Sequence, residues 1–277
     1  MQVLEREYSD FDIDEIKWQS PKLFGISGCF RLKDESEFMV QAVESHLPYL
    51  DEAVLVVQPS KDNTVELARM LDEKHDKVRV VEYPVSPHFI DEPEFHTDPE
   101  NSIYSFVYLS NYALSQCRYS WICKVEGDVV ALSTTKRIVD LIHENKYRDM
   151  YYGRVILNVA GKDIDQVSWD NPRNGGWDEG FFPNDPRKVS FVKRAKWEVC
   201  ESRIQNICMG FSALHMKRCK EEHLPVWNGE RYVPYTKEWV KQALDNYNKT
   251  VSPYPAHDEA DGAPCLFEPV PVLGLRC

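Results

Sequence analysis

Two carboxylates separated by one glycine follow the apolar run YSWICKV, and their types and spacing are suited to holding a metal ion. Glu126 and Asp128 flank Gly127, after which apolar residues resume. Where a buried strand gives way to a turn, both carboxylates can face one ligand, and glycine lets the backbone approach it closely. Carboxylate oxygens suit Mg²⁺ or Mn²⁺, which keep other positions for phosphate oxygens and water. The stretch therefore predicts a cation site at a strand end; a simple acidic turn is the alternative.

Two further acidic stretches contain candidates for a general base. AHDEADG holds His257, Asp258 and Glu259, and GWDEGFF holds Asp178 and Glu179. A positioned carboxylate can take a proton from a hydroxyl group during a reaction. His257 could ligate the metal or cap a helix, and ordinary solvated acids are the competing interpretation of both stretches.

Alternating strand and helix patterns surround the first carboxylate pair. Apolar runs at 22–32, 52–58, 77–84 and 120–126 predict four strands, and amphipathic stretches between them predict helices. Strand, helix and strand in alternation with short connections indicate a parallel α/β layer with right-handed crossovers. Ser60 or Asp62 is placed to cap the helix that follows the second strand. Glu126 and Asp128 then lie at the carboxyl end of the fourth strand, where ligands bind in open α/β sheets.

Beyond Leu132 the pattern is less regular. We expect a helix over 134–146, a strand over 149–159, a loop over 168–188 and a short strand running into a helix over 208–223. No linker separates two independent domains. The sequence thus predicts one domain, with a regular α/β half at about 21–132 and a mixed half at about 133–277.

Composition and charge limit the possible partners and the compartment. The 277 residues carry 33 basic and 45 acidic side chains, for a formal charge of −12. This charge repels nucleic acid, so a phosphate-ester substrate would need either a local cluster of Lys and Arg or a bridging divalent cation. The eight cysteines form no CxxC pair, and we expect them to be free thiols in a reducing compartment. No apolar stretch is long enough to span a membrane, so the expected location is the cytoplasm.

The ordered series of motifs resembles the GT-A nucleotide-sugar glycosyltransferases, in particular their large inverting family 2. The similar pieces are ISGCFRLKDESEFMVQAVESHLPYLDEAVLVV, SKDNTVELA and SNYALSQCRYSWICKVEGDVV. Their order covers about 23–132 well and 175–262 loosely. The resemblance implies a Rossmann-like, three-layer α/β sandwich with a mostly parallel central sheet and a mixed C-terminal part.

The resemblance also implies roles for individual residues. The residues expected to contact the nucleotide-sugar donor are Lys33, Glu35, Gln58, Asp62, Asn111 and Glu126. Asp128 is the expected metal ligand, with Glu126 and His257 as further candidates. Glu259 or Asp258 is the expected catalytic base, with Asp178 and Glu179 as alternatives. This chain departs from the family pattern at Glu126, Gln58 and Trp197, where relatives often have Asp, Asp and a metal-facing His.

These observations lead to an expected function with explicit alternatives. The expected activity is metal-dependent, inverting transfer of a sugar from a nucleotide-sugar donor to an acceptor hydroxyl, with Mn²⁺ or Mg²⁺ as cofactor. A metal-dependent phosphoesterase would require several converging histidines, and a nucleotidyltransferase would require a glycine-rich first loop containing lysine. A non-catalytic sugar-binding protein is favoured slightly by Glu126 and Gln58. The sequence does not define the sugar, the base, the acceptor or the oligomeric state.

Overall fold

The computed structural model describes residues 1–89, 92–144, 149–160, 166–169, 180–194 and 197–218, and every structural statement below concerns those residues. The helices are α1 Glu15–Gln19, α2 Met39–His46, α3 Thr64–Lys74, α4 Pro93–Thr97, α5 Phe106–Ser115 and α6 Thr135–His143. The strands are β1 Leu23–Leu32, β2 Glu52–Val57, β3 Val78–Glu82, β4 Tyr119–Glu126, β5 Val129–Ala131, β6 Met150–Ala160, β7 Gln166–Trp169, β8 Gly180–Pro183, β9 Val189–Arg194, β10 Trp197–Ser202 and β11 Gln205–Arg218.

A nine-stranded sheet forms the centre of the described structure. Its strand order is β3-β2-β1-β4-β8-β6-β11-β5, and β7 pairs with β6. Strands β3, β2, β1 and β4 are mutually parallel, and β6 and β11 run in the same direction. Strands β5, β7 and β8 run the opposite way. The sheet is therefore mostly parallel, as the sequence pattern predicts, with its mixed part formed after β4.

Two apolar layers cover the sheet. On one face, α2, α3 and α6 share an apolar cluster with β1 and β2 that includes Phe30, Leu55 and Ile138. On the other face, α5 and strand β9 pack around Val56 and Leu109. All six residues of β2 are buried, which explains its uninterrupted run of apolar residues after Glu52. The predicted three-layer α/β architecture is confirmed.

The order in which strands are added to the sheet reverses between β1 and β4. Strands β1 to β3 are added on one side, and β4 then pairs with the other edge of β1. Ligands of open α/β sheets bind at such a switch point, outside the carboxyl ends of the strands. Glu126 is the last residue of β4 and pairs with Arg31 of β1. The topology therefore places the predicted cation site at the switch point.

Two expectations for the second half are wrong. The segment 168–188 is not all loop, because Gly180–Pro183 is a fully buried strand between β4 and β6. Four residues are too few to show a period-2 pattern in the sequence. The expected turn into a helix after 208 is also absent up to Arg218, because β11 continues as one strand of 14 residues. Pairing with β6 and β5 outweighs the helical propensity of ALHMKR there.

Within the described residues, no helix is long and apolar enough to cross a membrane. The short helices near the amino terminus are docked to the main body. Trp18 of α1 is buried, and its indole Nε1 donates to Asn184 Oδ1 at 3.0 Å. The acidic lead-in thus contributes to the second apolar layer.

Candidate metal centre

Glu126 and Asp128 converge with a histidine that the sequence analysis did not select. His215 Nε2 lies 3.3 Å from Asp128 Oδ1 and 3.8 Å from Glu126 Oε2. One ligand atom from each of the three residues lies within 4.8 Å of the others. Metal–ligand bonds of about 2.0–2.2 Å separate the ligands of one ion by up to roughly 4.4 Å. Small side-chain adjustments would therefore let all three bind a single ion.

Strand pairing, rather than sequence proximity, brings His215 to this position. It belongs to β11 and pairs with Val129 of β5, directly after the acidic turn. The backbone N–H of Met216 donates to the carbonyl oxygen of Asp128 at 2.8 Å. The sequence predicts a short strand running into a helix over 208–223, and the histidines show no clustered spacing in the sequence, so this pairing was not expected. Recognising β11 as a strand is the signal that would have found it.

The three side chains differ in their contact with solvent. The side chain of Asp128 is 3% exposed, that of His215 is 17% exposed and that of Glu126 is 36% exposed. Asp128 is therefore the inner acid, and Glu126 lies at the open side. This gradient leaves room for a ligand to approach the centre from the side of Glu126.

Gly127 allows the first loop to press against this turn. A Cβ atom at position 127 would lie 2.7 Å from Glu35 Cγ and 2.8 Å from Leu32 Cδ2. Distances below 3.0 Å are too short for real contacts, so a side chain here would displace one of the two neighbours. The glycine therefore allows the loop after β1 to lie against the carboxylate pair, and it places Glu35 beside the centre.

Hydrogen bonds fix the loop after β1 to the loop after β2. Ser36 N–H donates to Asp62 Oδ2 at 3.0 Å, and Glu35 N–H donates to Thr64 Oγ1 at 2.8 Å. Partial burial alone would raise the pKa of Asp62, but hydrogen bonds from Thr64 and Ser36 outweigh burial and lower the pKa below its usual value. Asp62 also accepts from Thr64 N–H at 3.0 Å, so it supports the start of α3 as the sequence predicts.

Lys33 and Gln58 line the same region. The Lys33 ammonium lies 4.6 Å from the centre of the Phe89 ring, a cation–π contact. Gln58 follows β2, is only 3% exposed, and its backbone N–H donates to Leu32 O at 2.9 Å. Among the described residues its Oε1 atom has no hydrogen-bond partner. Lys33, Glu35, Gln58 and Asp62 thus all belong to the two linked loops.

Asn111 serves the packing of the second layer in this structure. Its side chain donates to Phe191 O at 2.8 Å and accepts from Phe191 N–H at 2.9 Å, which fixes β9 to α5. Its predicted contact with a donor stays a prediction.

Strands β9 and β10 form a hairpin that meets the switch point through a buried ion pair. Glu198 Oε1 lies 2.6 Å from the Arg31 guanidinium, and both side chains are at most 10% exposed. Ser110 contacts both groups. The Arg31 charge is therefore balanced within the protein. Trp197 at the start of β10 is 60% exposed.

The candidates for a general base fall outside the described residues. This holds for Asp178, Glu179, Asp258 and Glu259, and also for the candidate ligand His257. β11 runs parallel to β6 and β4 and ends at Arg218, on the carboxyl side of the sheet. The roles of these five residues stay predictions.

A fully buried histidine, His46 of α2, lies next to Arg154 of β6. His46 Nδ1 is 2.8 Å from Ala42 O, and its Nε2 is 3.0 Å from the Arg154 guanidinium. Since a guanidinium only donates, Nε2 must accept and the proton must lie on Nδ1. Burial, followed by the charge of Arg154, lowers the pKa of His46 to about 3. Arg154 also donates to Lys124 O at 3.1 Å, so this neutral histidine helps to support β4.

Another cavity lies at the opposite end of the sheet. Its volume is about 540 Å³, and Lys22, Phe24, Trp121 and Arg187 are among the residues that line it. It is remote from the carboxyl ends of β1 and β4, so it does not belong to the metal centre.

Comparison with known proteins gives only structural matches. No family model matches the chain, and no curated protein matches it. Solved structures that resemble part of it include S. aureus TarS 1-349, at a TM-score of 0.44 and 12% identity over 69% of this chain and 60% of that chain. The same fragment in complex with UDP-GlcNAc matches with a TM-score of 0.35 and 17% identity, over 49% of this chain and 36% of that chain. A mycobacterial protein matches with a TM-score of 0.32 and 15% identity, over 54% of this chain and 45% of that chain.

Part of this chain therefore resembles part of TarS. The match spans less than two thirds of the TarS fragment. Every one of these TM-scores is below 0.5, so these likenesses do not assign a function.

Proposed function

We propose that this protein is a metal-dependent glycosyltransferase that moves a sugar from a nucleotide-sugar donor to an acceptor hydroxyl. The observation that carries the proposal is the convergence of Glu126, Asp128 and His215 beside two linked loops at the switch point of a parallel sheet. A crevice in this position is the usual ligand site of an open α/β sheet. A cation bound there would also let a protein of charge −12 accept an anionic diphosphate.

We propose separate residues for the cation and for the donor. Asp128, Glu126 and His215 would hold the cation, and His257 is a further candidate. Lys33 and Glu35 on the first loop, with Gln58 and Asp62 on the second, would contact the nucleotide; Asn111 is a more remote candidate. When bound, the cation would neutralise charge on the departing diphosphate as a Lewis acid. The imidazole in the ligand set favours Mn²⁺ over Mg²⁺, because Mg²⁺ prefers oxygen ligands.

Transfer is proposed to occur with inversion in a single displacement. A carboxylate on the face of the sugar opposite the diphosphate would take the proton from the acceptor hydroxyl. Glu259 or Asp258 is proposed for this role, with Asp178 or Glu179 as the alternative. Residues 21–132 would form the donor half of one domain, and 133–277 the acceptor half. The free, buried thiols of Cys29, Cys117 and Cys123 suit the reducing cytoplasm that we propose as the location.

Calorimetry with a nucleotide panel, with and without Mn²⁺, tests the donor site. UDP and UDP-GlcNAc, the ligands in the TarS complexes, are its first members, followed by GDP and dTDP. We expect one nucleotide to bind at least tenfold more tightly with Mn²⁺, and Asp128→Asn to remove that gain. Asp140→Asn, on the surface of α6 and paired with Lys136, is the matched control. The proposal is refuted if no nucleotide binds under either condition.

A metal-dependent phosphoesterase is less well supported by the same geometry. Such a centre would require two or more histidine ligands, whereas within the described ranges one histidine reaches the two carboxylates. Release of inorganic phosphate from a generic aryl phosphate by the manganese-loaded protein would favour that activity instead. A non-catalytic sugar-binding protein would bind the donor yet release no nucleoside diphosphate when offered acceptors.

A further inference from the structure

Lys124 is a fully buried lysine next to the candidate metal centre. It lies on β4 two residues before Glu126, and its side chain is 2% exposed. Its ammonium group is 3.5 Å from Glu126 Oε1. A buried ammonium is costly unless a carboxylate offsets its charge. The chain therefore maintains this charge inside an otherwise apolar strand, at the point where it meets an acid of the centre.

The two oxygens of Glu126 face different partners. Oε1 faces Lys124, whereas Oε2 faces His215 at 3.8 Å. The ammonium therefore holds one oxygen and leaves the other directed at the centre. This arrangement also accounts for glutamate at the first acidic position, because its longer side chain can reach the lysine and the centre together.

The lysine also changes the charge of the centre. Glu126 and Asp128 each carry one negative charge, and the ammonium of Lys124 adds one positive charge 3.5 Å from Glu126. The adjacent Arg31 and Glu198 form an ion pair of their own at 2.6 Å. With or without a bound divalent cation, the lysine therefore makes the centre one unit more positive than the same site without it. That extra positive charge favours an incoming diphosphate.

We propose that Lys124 is a positioning residue that makes the centre bind a free divalent cation weakly and a cation together with a nucleoside diphosphate strongly. The inference rests on the proposed function, because it needs the cation and the nucleotide to share this site. Its physical basis is general: a positive charge near a metal site opposes the metal and favours the anion that follows it. Cation and donor would consequently enter as a pair.

Two binding measurements on Lys124→Met test the proposal. Titration with Mn²⁺ alone, followed by electron paramagnetic resonance, should show about tenfold tighter binding than in the wild type. The increase in UDP affinity caused by saturating Mn²⁺ should fall about tenfold. Lys124→Arg, which keeps the charge, should behave as the wild type in both. Thermal melting identifies a variant that does not fold, and Lys124→Gln, which is neutral but can still donate to Glu126, then replaces Lys124→Met.

Tighter binding of Mn²⁺ alone together with a smaller Mn²⁺-dependent increase in UDP affinity would support the proposal, because a purely structural lysine would lower both quantities together. A loss in both quantities, or wild-type values for both, would overturn it. Failure of the proposed function gives a different result, since the wild type itself would then bind neither Mn²⁺ nor UDP.

Discussion

The buried pair of His46 and Arg154 predicts that acid destabilises this protein in a defined range of pH. In the folded protein the pKa of His46 is lowered to about 3, first by burial and then by Arg154. In the unfolded chain it returns to the ordinary histidine value of 6.5. Below pH 6.5 the unfolded chain therefore binds a proton that the folded protein does not accept until about pH 3. Above pH 6.5 His46 therefore does not reduce the free energy of unfolding, and below pH 6.5 the free energy of unfolding falls as the pH falls.

The size of the effect follows from the two pKa values. Each pH unit between them changes the free energy of unfolding by about 1.4 kcal/mol. Between pH 7.5 and pH 5.0, protonation of His46 in the unfolded chain should therefore lower the free energy of unfolding by about 2 kcal/mol. In His46→Gln, the amide oxygen can still accept from Arg154, but the side chain does not titrate. The free energy of unfolding of this variant should therefore fall by about 2 kcal/mol less than that of the wild type over the same range of pH.

Urea unfolding at pH 7.5, 6.5, 5.5 and 5.0 measures this difference for both proteins. His143→Gln, which removes an exposed histidine from the end of α6, is the matched control and should retain the wild-type pH dependence. The imidazole proton resonances of His46 should not shift between pH 7.5 and pH 5.0. Equal pH dependence in the wild type and His46→Gln would contradict the buried neutral pair.

Three further variants test the centre and its supports. His215→Gln should weaken Mn²⁺ binding at least tenfold in calorimetry, because one of three ligands is lost; unchanged affinity would remove His215 from the centre. Arg31→Met should lower the free energy of unfolding by about 3–5 kcal/mol, because it leaves the Glu198 carboxylate buried without its cation. Urea titration measures this loss, and a change below 1 kcal/mol would show that the pair is not buried in solution. Glu259→Gln should preserve UDP binding and abolish sugar transfer in a nucleotide-release assay, whereas undiminished transfer would assign the base to Asp178 or Glu179.

The sequence by itself determined the first half of the fold and one side of the candidate site. Alternation of apolar runs and amphipathic stretches is a local property, so β1 to β4 and helices α2, α3 and α5 could be predicted from it, whereas the short helix α4 was not. The same holds for Glu126 and Asp128, because a strand end is visible in the sequence and parallel strands place their carboxyl ends together.

Only the tertiary structure placed His215 beside Asp128. The two residues are 87 positions apart, and pairing of β11 with β5 and β6 brings them together although the local sequence favours a helix. The buried position of Lys124 and the pairing of Arg31 with Glu198 are likewise long-range results. Strand pairing depends on which distant segments bury each other's apolar surface, and no local pattern encodes that choice.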